Sequence, residues 1–197
     1  MSETEQLLAQ KKRGVEGTQT LENDQDAQKL AQLVRGGKRV LEELKSRVPP
    51  SLFSVDKEQF IGRELIEKLP DEYRIALRNL INGFLEKVRR TSASDIDFGG
   101  LGSKKMIWLR IHGEKNPMPE LGTYEITESD ILIQSILLSS QREELCEGRN
   151  VDFSYTFTSS DKQIYRNRAN VAFDLNALSL NMRAIETRTR SFDQYGF

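Results

Sequence analysis

The sequence contains very little cysteine and histidine, and this scarcity excludes several kinds of site. Cys146 is the only cysteine, so the chain cannot form an internal disulfide, and His112 is the only histidine. A cysteine with no histidine near it in sequence is a poor candidate for a nucleophile, and a lone histidine does not make a metal site. Composition therefore predicts neither cysteine catalysis nor a metal centre, and it fits a reducing, cytoplasmic setting.

Long apolar runs and an excess of charge of one sign are also absent. Lys and Arg total 29 and Asp and Glu total 30, which leaves a formal net charge of −1. A chain this close to neutral has no overall field that attracts nucleic acid or an anionic membrane. No stretch approaches the ~20 apolar residues of a membrane-spanning helix, and the polar N-terminus lacks the apolar segment of a signal peptide. We therefore expect no nucleic-acid partner and no direct membrane insertion.

The N-terminal third of the chain differs in pattern from the rest. Residues 1–26 are charged and rich in glutamine, and we expect a polar tail that is disordered or a loose helix. Over residues 27–69 apolar residues recur at helical spacing, which predicts a helical extension. Gly36 and Gly37 interrupt that pattern, and two glycines predict a kink or two separate helices, because together they cost about 2 kcal/mol of helix propensity.

Residues 70–190 combine helices with a run of strands. A helix is predicted over about 70–90, since a proline suits its first turn and apolar residues repeat on one face. Polar and apolar residues alternate strictly over 151–158, and two further strand signals follow at 164–173 and 178–186. This order predicts an α+β fold in which helices flank an antiparallel sheet.

A glycine-rich stretch at 99–106, GGLGSKKM, has some features of a phosphate-binding loop but the wrong spacing. Such a loop reads G-x-x-x-x-G-K-[ST], so that a lysine directly follows the last glycine. Here Ser103 follows Gly102, and Asp97 stands where the first glycine is required. We interpret the stretch as a turn between strands, and we expect this chain alone to bind no cofactor and to hydrolyse no ATP.

The segment 164–185 predicts a hairpin that carries several arginines. If the loop is tight and even-numbered, with two or four residues within 174–177, Phe173 pairs with Leu178 and both are buried together. The loop length therefore fixes which of the arginines face one another.

Arg166 and Arg168 share the polar face of the first strand, and the same register pairs Arg168 with Arg183 on the second. Like charges directly opposite one another are destabilising, so something should compensate. Two compensations are open: acidic neighbours, or a recruited anion such as a polyphosphate, which guanidinium groups bind in bidentate fashion. A simpler interpretation is that these arginines are merely solvated on an exposed sheet face.

Six short motifs follow one another over residues 93–197. They are Ala93-Ser94-Asp95-Ile96-Asp97-Phe98, Arg110-Ile111-His112-Gly113, Asp152-Phe153-Ser154-Tyr155, Arg166-Asn167-Arg168-Ala169-Asn170, Met182-Arg183-Ala184-Ile185 and Ser191-Phe192-Asp193-Gln194-Tyr195-Gly196-Phe197. In order and spacing they resemble the N-terminal, PAS-like domain of the PilT/GspE-type secretion ATPases, which drive type IV pili and type II or type IV secretion. The resemblance does not reach residues 1–69.

The resemblance implies a role for the arginines. In that family, arginines of this domain reach the phosphates of a nucleotide held by a RecA-like ATPase domain. Arg168 and Arg183 match those positions and Arg166 matches a third. The resemblance also implies ATP and magnesium for the full-length parent, a hexamer whose subunits contact this domain, and a cytoplasmic location next to inner-membrane partners. Residues 191–197 would begin the linker to an ATPase domain that the chain does not contain.

Two other functions are compatible with the sequence. One is a free-standing PAS-like interaction module of a secretion or pilus complex, which has no nucleotide role and docks a helical partner through residues 1–69. The other is a small-molecule sensor, which requires an apolar pocket with a few convergent polar groups.

Overall fold

A computed structural model describes the backbone of residues 3–185 and the side chains of residues 25–185. The elements, in chain order, are α1 (Glu3–Ser46), α2 (Ser54–Phe60), a π-helical segment (Ile61–Ile66), α3 (Asp71–Arg90), β1 (Asp95–Gly99), β2 (Trp108–Ile111), β3 (Glu114–Pro117), a 3₁₀ turn (Pro119–Leu121), α4 (Ile126–Gln134), α5 (Ser139–Gly148), β4 (Asn150–Thr158), β5 (Ile164–Asp174) and β6 (Ala177–Ile185). The predicted α+β fold is confirmed. The predicted linker, residues 191–197, lies outside the described residues.

The six strands form one antiparallel sheet in the order β3-β2-β1-β6-β5-β4. On one face apolar side chains meet the helices: α4 contacts β1 and β6, α3 contacts β1 and α5 contacts β4. The opposite face, here called the outer face, is polar. Its side chains on β4 and β5, such as Ser154 and Arg168, are exposed, because no described helix covers this part of the sheet.

Helix α1 runs without interruption through the two glycines at which the sequence predicts a kink. A Cβ atom on Gly37 would lie 2.5 Å from Cδ2 of Leu80 in α3, so glycine allows the two helices to approach this closely. Gly83 of α3 packs in the same way against leucine side chains of α1. The predicted kink is wrong, because the tertiary contact between α1 and α3 outweighs the local helix propensity of glycine.

The same helix also includes most of residues 1–26, for which the sequence predicts a disordered tail or a loose helix. Composition favours the helical alternative, since glutamate, glutamine, lysine and leucine, which are all good helix formers, dominate this stretch. None of the helices in the described part of the chain is both long and apolar enough to cross a membrane.

The helical extension, residues 27–69, packs into the same core as the sheet. Val40, Leu41 and Leu44 of α1 are buried with Phe84 of α3, in a cluster that also takes in the apolar face of the sheet. Most of the apolar side chains of residues 27–69 that could bind a helical partner are therefore already packed within the chain, although Phe53 is exposed.

Thr127 and Asp130 stand three residues apart before an apolar run, a spacing that predicts a capping box at the start of α4. In the structure the helix begins at Ile126, and Glu125 and Glu128 form the capping box. Glu128 accepts the backbone N–H of Glu125 at 2.9 Å, and it also binds Lys38 and Lys45 of α1, at 2.6 and 3.0 Å. Asp130 is turned into the core instead.

A buried ionic cluster, defined here as Lys57, Glu58, Asp130 and Gln134, joins α2 to α4. Nζ of Lys57 lies 2.6 Å from Oδ2 of Asp130 and 3.2 Å from Oε1 of Glu58. The amide of Gln134 donates to Oε2 of Glu58 at 2.7 Å. Burial and the negative charge of Asp130 raise the pKa of Glu58 to about 8. At neutral pH the cluster therefore keeps a proton that an exposed glutamate would already have released.

Candidate functional site

The predicted register of the arginine hairpin is confirmed. A two-residue loop joins β5 to β6, and Phe173 lies opposite Leu178. In the same register Arg168 lies opposite Arg183. Both side chains are on the outer face, where that of Arg168 is 73% exposed and that of Arg183 is 68% exposed.

The tip of this hairpin is held by the buried ionic cluster. Nζ of Lys57 donates to the carbonyl oxygen of Asn176 at 3.0 Å, and the backbone N–H of Leu178 donates to Oδ1 of Asp130 at 2.8 Å. Two helices, α2 and α4, thus fix the position of the loop end of β5 and β6.

The glycine-rich stretch 99–106 holds the same tip from another side. It connects β1 to β2, as the sequence predicts, and the backbone N–H of Leu101 donates to Oδ2 of Asp174 at 2.9 Å. Gly99 has φ of +76°, and a Cβ atom there would lie 2.4 Å from the carbonyl oxygen of Leu178. Glycine is therefore required for close packing on the hairpin, and an N–H of this turn binds a carboxylate of the chain itself.

Asp95, the first residue of β1, compensates the charge of Arg183. It lies directly opposite Arg183 of β6 on one side and Arg110 of β2 on the other. Its Oδ1 accepts Nε–H of Arg183 at 2.7 Å, and its Oδ2 accepts the hydroxyl of Ser94 at 2.7 Å and lies 3.6 Å from Nε of Arg110. Burial alone would raise the pKa of Asp95, but the hydrogen bonds from Arg183 and Ser94 outweigh it and lower this pKa below its usual range.

Strand register places six residues in one line across the outer face, here called the cationic line: Lys115, Arg110, Asp95, Arg183, Arg168 and Ser154. Four cations share the line with a single carboxylate. Asp97 and Asp152 lie on the same face in the neighbouring row, two residues along their strands from Asp95 and Ser154. Lys115 approaches Asp97 at 2.9 Å. A local excess of positive charge therefore exists in a chain whose formal net charge is −1.

The three predicted site residues share the outer face but are held to different degrees. Nε of Arg166 donates to the hydroxyl of Ser154 at 2.6 Å. Arg168 approaches Asp152 at 3.8 Å, which is longer than a hydrogen bond, and both groups are largely exposed. An exposed contact of this kind contributes about 0–1 kcal/mol. Among the described residues, Arg183 is the one of the three with a buried carboxylate partner.

Asp95 and Arg110 are the members of this site that sequence reasoning missed. Both lie inside recognised motifs, but Asp95 is 88 residues from Arg183 along the chain. Nothing local indicates that β1 pairs with β6. One sequence feature could have indicated this role. Asp95 stands at the start of a strand and on its polar face, where an aspartate is a candidate partner for arginines on a neighbouring strand.

A concave region lies between the π-helical segment and α5. Charged side chains dominate its lining, which includes Glu58, Arg63, Arg142 and Cys146. A sensor for an apolar ligand would need a mostly apolar lining, which this cleft lacks. Burial raises the pKa of the Cys146 thiol, which works against its use as a nucleophile.

Comparison with known proteins adds a similarity of fold. No protein-family model matches the chain, and no curated protein matches it. Similar solved structures include the pilus retraction motor PilT with bound ADP (24% identity, TM-score 0.46, 58% of this chain and 31% of that chain), the ATPase DotB of Legionella pneumophila (22%, 0.50, 59% and 32%) and the ATPase DotB of Yersinia pseudotuberculosis (17%, 0.49, 59% and 32%).

The chain spans about a third of the length of each of these structures. At 22% identity and a TM-score of 0.50, the L. pneumophila DotB match shows that more than half of this chain shares its fold with part of that ATPase.

Proposed function

We propose that this chain is the N-terminal domain of a hexameric motor ATPase of a pilus or secretion system, and that the domain is of the PAS-like class. In this proposal Arg168 and Arg183, with Arg166 beside them, contact the phosphates of a nucleotide that an ATPase domain outside the chain holds. The fold shared with part of DotB and the ordered motifs over residues 93–197 support the assignment. ATP and magnesium belong to the ATPase domain, and the contribution of this chain is positive charge.

The observation that carries the proposal is the exposed pair of opposed arginines. In a directly opposed pair the Cβ atoms lie about 4.5–5.5 Å apart, so the two guanidinium groups repel each other unless a negative charge lies between or beside them. Asp95 neutralises Arg183 in part, but among the described residues Arg168 has only the exposed carboxylate of Asp152, at 3.8 Å. A polyphosphate would remove this repulsion and accept paired N–H donors from both groups.

Such an arrangement fits transfer of a phosphoryl group. Charge develops on the phosphoryl oxygens in the transition state, and cations placed in advance stabilise it. Arginines supplied by one domain to a nucleotide on another also couple closure of the domains to turnover. We therefore place the neighbouring subunits of a hexamer and inner-membrane secretion proteins among the partners, in the cytoplasm.

The rival function, a free-standing interaction module that docks a partner through residues 1–69, receives less support. Over residues 27–69, most of the apolar side chains that could form its docking surface, such as Leu41 and Leu44, are buried in the chain's own core.

The proposal is tested on the protein encoded by the complete reading frame. Arg168→Ala and Arg183→Ala should each lower ATPase turnover by about 10²-fold, because each removes a charged donor from the developing negative charge. Arg78→Ala, which removes an exposed arginine of α3 on the helical side of the sheet, should leave turnover unchanged. Thermal unfolding of all three variants checks that the fold is intact.

Wild-type turnover in both hairpin variants would refute the nucleotide role. A reading frame that holds no phosphate-binding loop after this domain would instead favour the interaction module.

A further inference from the structure

We propose that Asp95 is a positioning residue that fixes the orientation of Arg183, so that the opposed pair consists of one preset arginine, Arg183, and one adjustable arginine, Arg168. The ligand in this inference is the phosphate of the proposed function, and the inference rests on that function for its consequence in catalysis. The positioning itself concerns residues of this chain alone and is tested separately.

The first argument is the burial of Asp95 on a face that is otherwise exposed. Its side chain is only 3% exposed, although it lies on the outer face between two strands. Arg183 and Arg110 approach it from opposite sides, and Ser94 donates to it from the preceding residue. A buried carboxylate without such partners is strongly unfavourable, so the Arg183 contact is bound into the fold and is not an occasional surface ion pair.

The second argument counts the donors of Arg183. A guanidinium group has five N–H donors in a rigid planar fork, and Asp95 uses the one on Nε. Four N–H groups on the two terminal nitrogens remain, and the 68% exposure of the side chain leaves its outer end in solvent. Arg183 can therefore bind Asp95 and a phosphate at once, and because the fork is planar, fixing Nε also fixes the plane in which the other donors lie.

The third argument is the contrast with Arg168. It lies directly opposite Arg183, yet its closest carboxylate among the described residues is Asp152, at 3.8 Å and itself 58% exposed. No hydrogen bond restricts its guanidinium group within the described part of the chain. Arg183 thus provides donors that need little reorganisation, whereas Arg168 adapts to the ligand. Two arginines on the same face of a sheet need not differ in this way.

The positioning is tested on the chain itself by NMR of arginine Nε–H groups. In the wild type, the Nε–H of Arg183 should exchange with water more slowly than that of Arg168, with Arg166, bonded to Ser154, as an internal reference. In Asp95→Asn, which keeps the size but removes the charge, the Arg183 signal should shift and exchange faster, because a neutral acceptor makes a weaker bond. Asp152→Asn is the matched control and should leave Arg183 unchanged.

Equal exchange of Arg183 and Arg168 in the wild type would overturn the inference, and this comparison does not depend on whether any variant folds. An Arg183 signal that is the same in Asp95→Asn as in the wild type would overturn it as well.

The catalytic consequence is tested in the complete protein by a double-mutant cycle. Asp95→Asn should lower turnover by about tenfold in the wild-type background, since small misplacements of a contacting group have effects of this size or larger. It should have no further effect in the Arg183→Ala background, because Asp95 acts through Arg183.

The outcomes separate the two proposals. If Arg183→Ala lowers turnover and Asp95→Asn does not, the positioning inference fails and the proposed function stands. If neither variant changes turnover while the NMR contrast holds, the positioning stands and the nucleotide role fails. Equal losses from Asp95→Asn in both backgrounds would show that Asp95 acts independently of Arg183, which would also overturn the inference.

Discussion

Replacement of Glu58 by glutamine should remove a pH dependence of stability that the buried ionic cluster imposes. The carboxyl group of Glu58 is buried against Lys57 and Asp130, and burial together with the charge of Asp130 raises the pKa of Glu58 from its ordinary value of 4.5 to about 8. The folded chain therefore holds a proton between about pH 4.5 and 8 that the unfolded chain releases. Glutamine has nearly the same shape as the protonated side chain and cannot release a proton.

The sign follows from which state binds the proton. Because the folded state binds it more tightly, the free energy of unfolding falls as the pH rises through this window. One proton gives a slope of at most about 1.4 kcal/mol per pH unit. Across the whole window the upper limit is about 5 kcal/mol, a large part of the total stability of an ordinary domain. Lys57 at 3.2 Å and Gln134 at 2.7 Å act in the opposite direction, because both stabilise the ionised form.

The assay is urea unfolding of the wild type and Glu58→Gln at several pH values from 6 to 9, followed by the fluorescence of Trp108, the only tryptophan. The difference between the two profiles isolates Glu58 from other titrating groups. The free energy of unfolding of the variant, relative to that of the wild type, should increase as the pH rises. Glu144→Gln on the exposed side of α5 is the matched control and should run parallel to the wild type. Parallel profiles for Glu58→Gln would refute the reasoning, since the carboxyl group would then titrate as it does in the unfolded chain.

Two pairs of glycine substitutions test the packing. Gly37→Ala should destabilise the fold by about 1–3 kcal/mol, because the added methyl group overlaps Leu80. In contrast, Gly36→Ala, with no atom within 4 Å of the added group, should stabilise α1 by about 0.5–1 kcal/mol. Gly99→Ala should lose about 1–2 kcal/mol from its left-handed backbone alone, and more from the close carbonyl, whereas Gly102→Ala should stay within about 0.5 kcal/mol of the wild type. Urea unfolding measures all four, and similar values within either pair would contradict the packing described here.

The local sequence pattern was sufficient to predict the structure wherever residues close in sequence determine the geometry. The strict alternation over 151–158 and the tight loop after Phe173 fix which side chains share a face and which face one another, so the pairing of Arg168 with Arg183 followed from the sequence. Helix α3 followed in the same way from its apolar face and its proline-led start.

Contacts between distant segments could not be predicted in this manner. The bond between Asp95 and Arg183 depends on β1 lying beside β6, which no local pattern specifies. The kink predicted at the glycines of α1 is wrong for the same reason. Glycine locally favours a kink, but the tertiary role of Gly37 is close contact with α3. The spacing of Asp130 from Thr127 predicts a capping box, but the buried Lys57 gives Asp130 a partner inside the core.

The two ends of the hairpin that carries the arginines are held by different contacts. Its tip is tied to α2, to α4 and to the glycine-rich turn, whereas the other end of β6 reaches Ile185, the last described residue, which lies opposite Arg166. Ile185 is two residues beyond Arg183, a distance of about 7 Å along a strand. At that end β6 is paired with β5 on one side, and on the other side the backbone N–H of Ala184 donates to the carbonyl oxygen of Ser94 at 3.1 Å. In the proposed function, a movement of the polypeptide that continues beyond Ile185 would reach the strand position of Arg183 within two residues, so domain movement and phosphate contact would be coupled there.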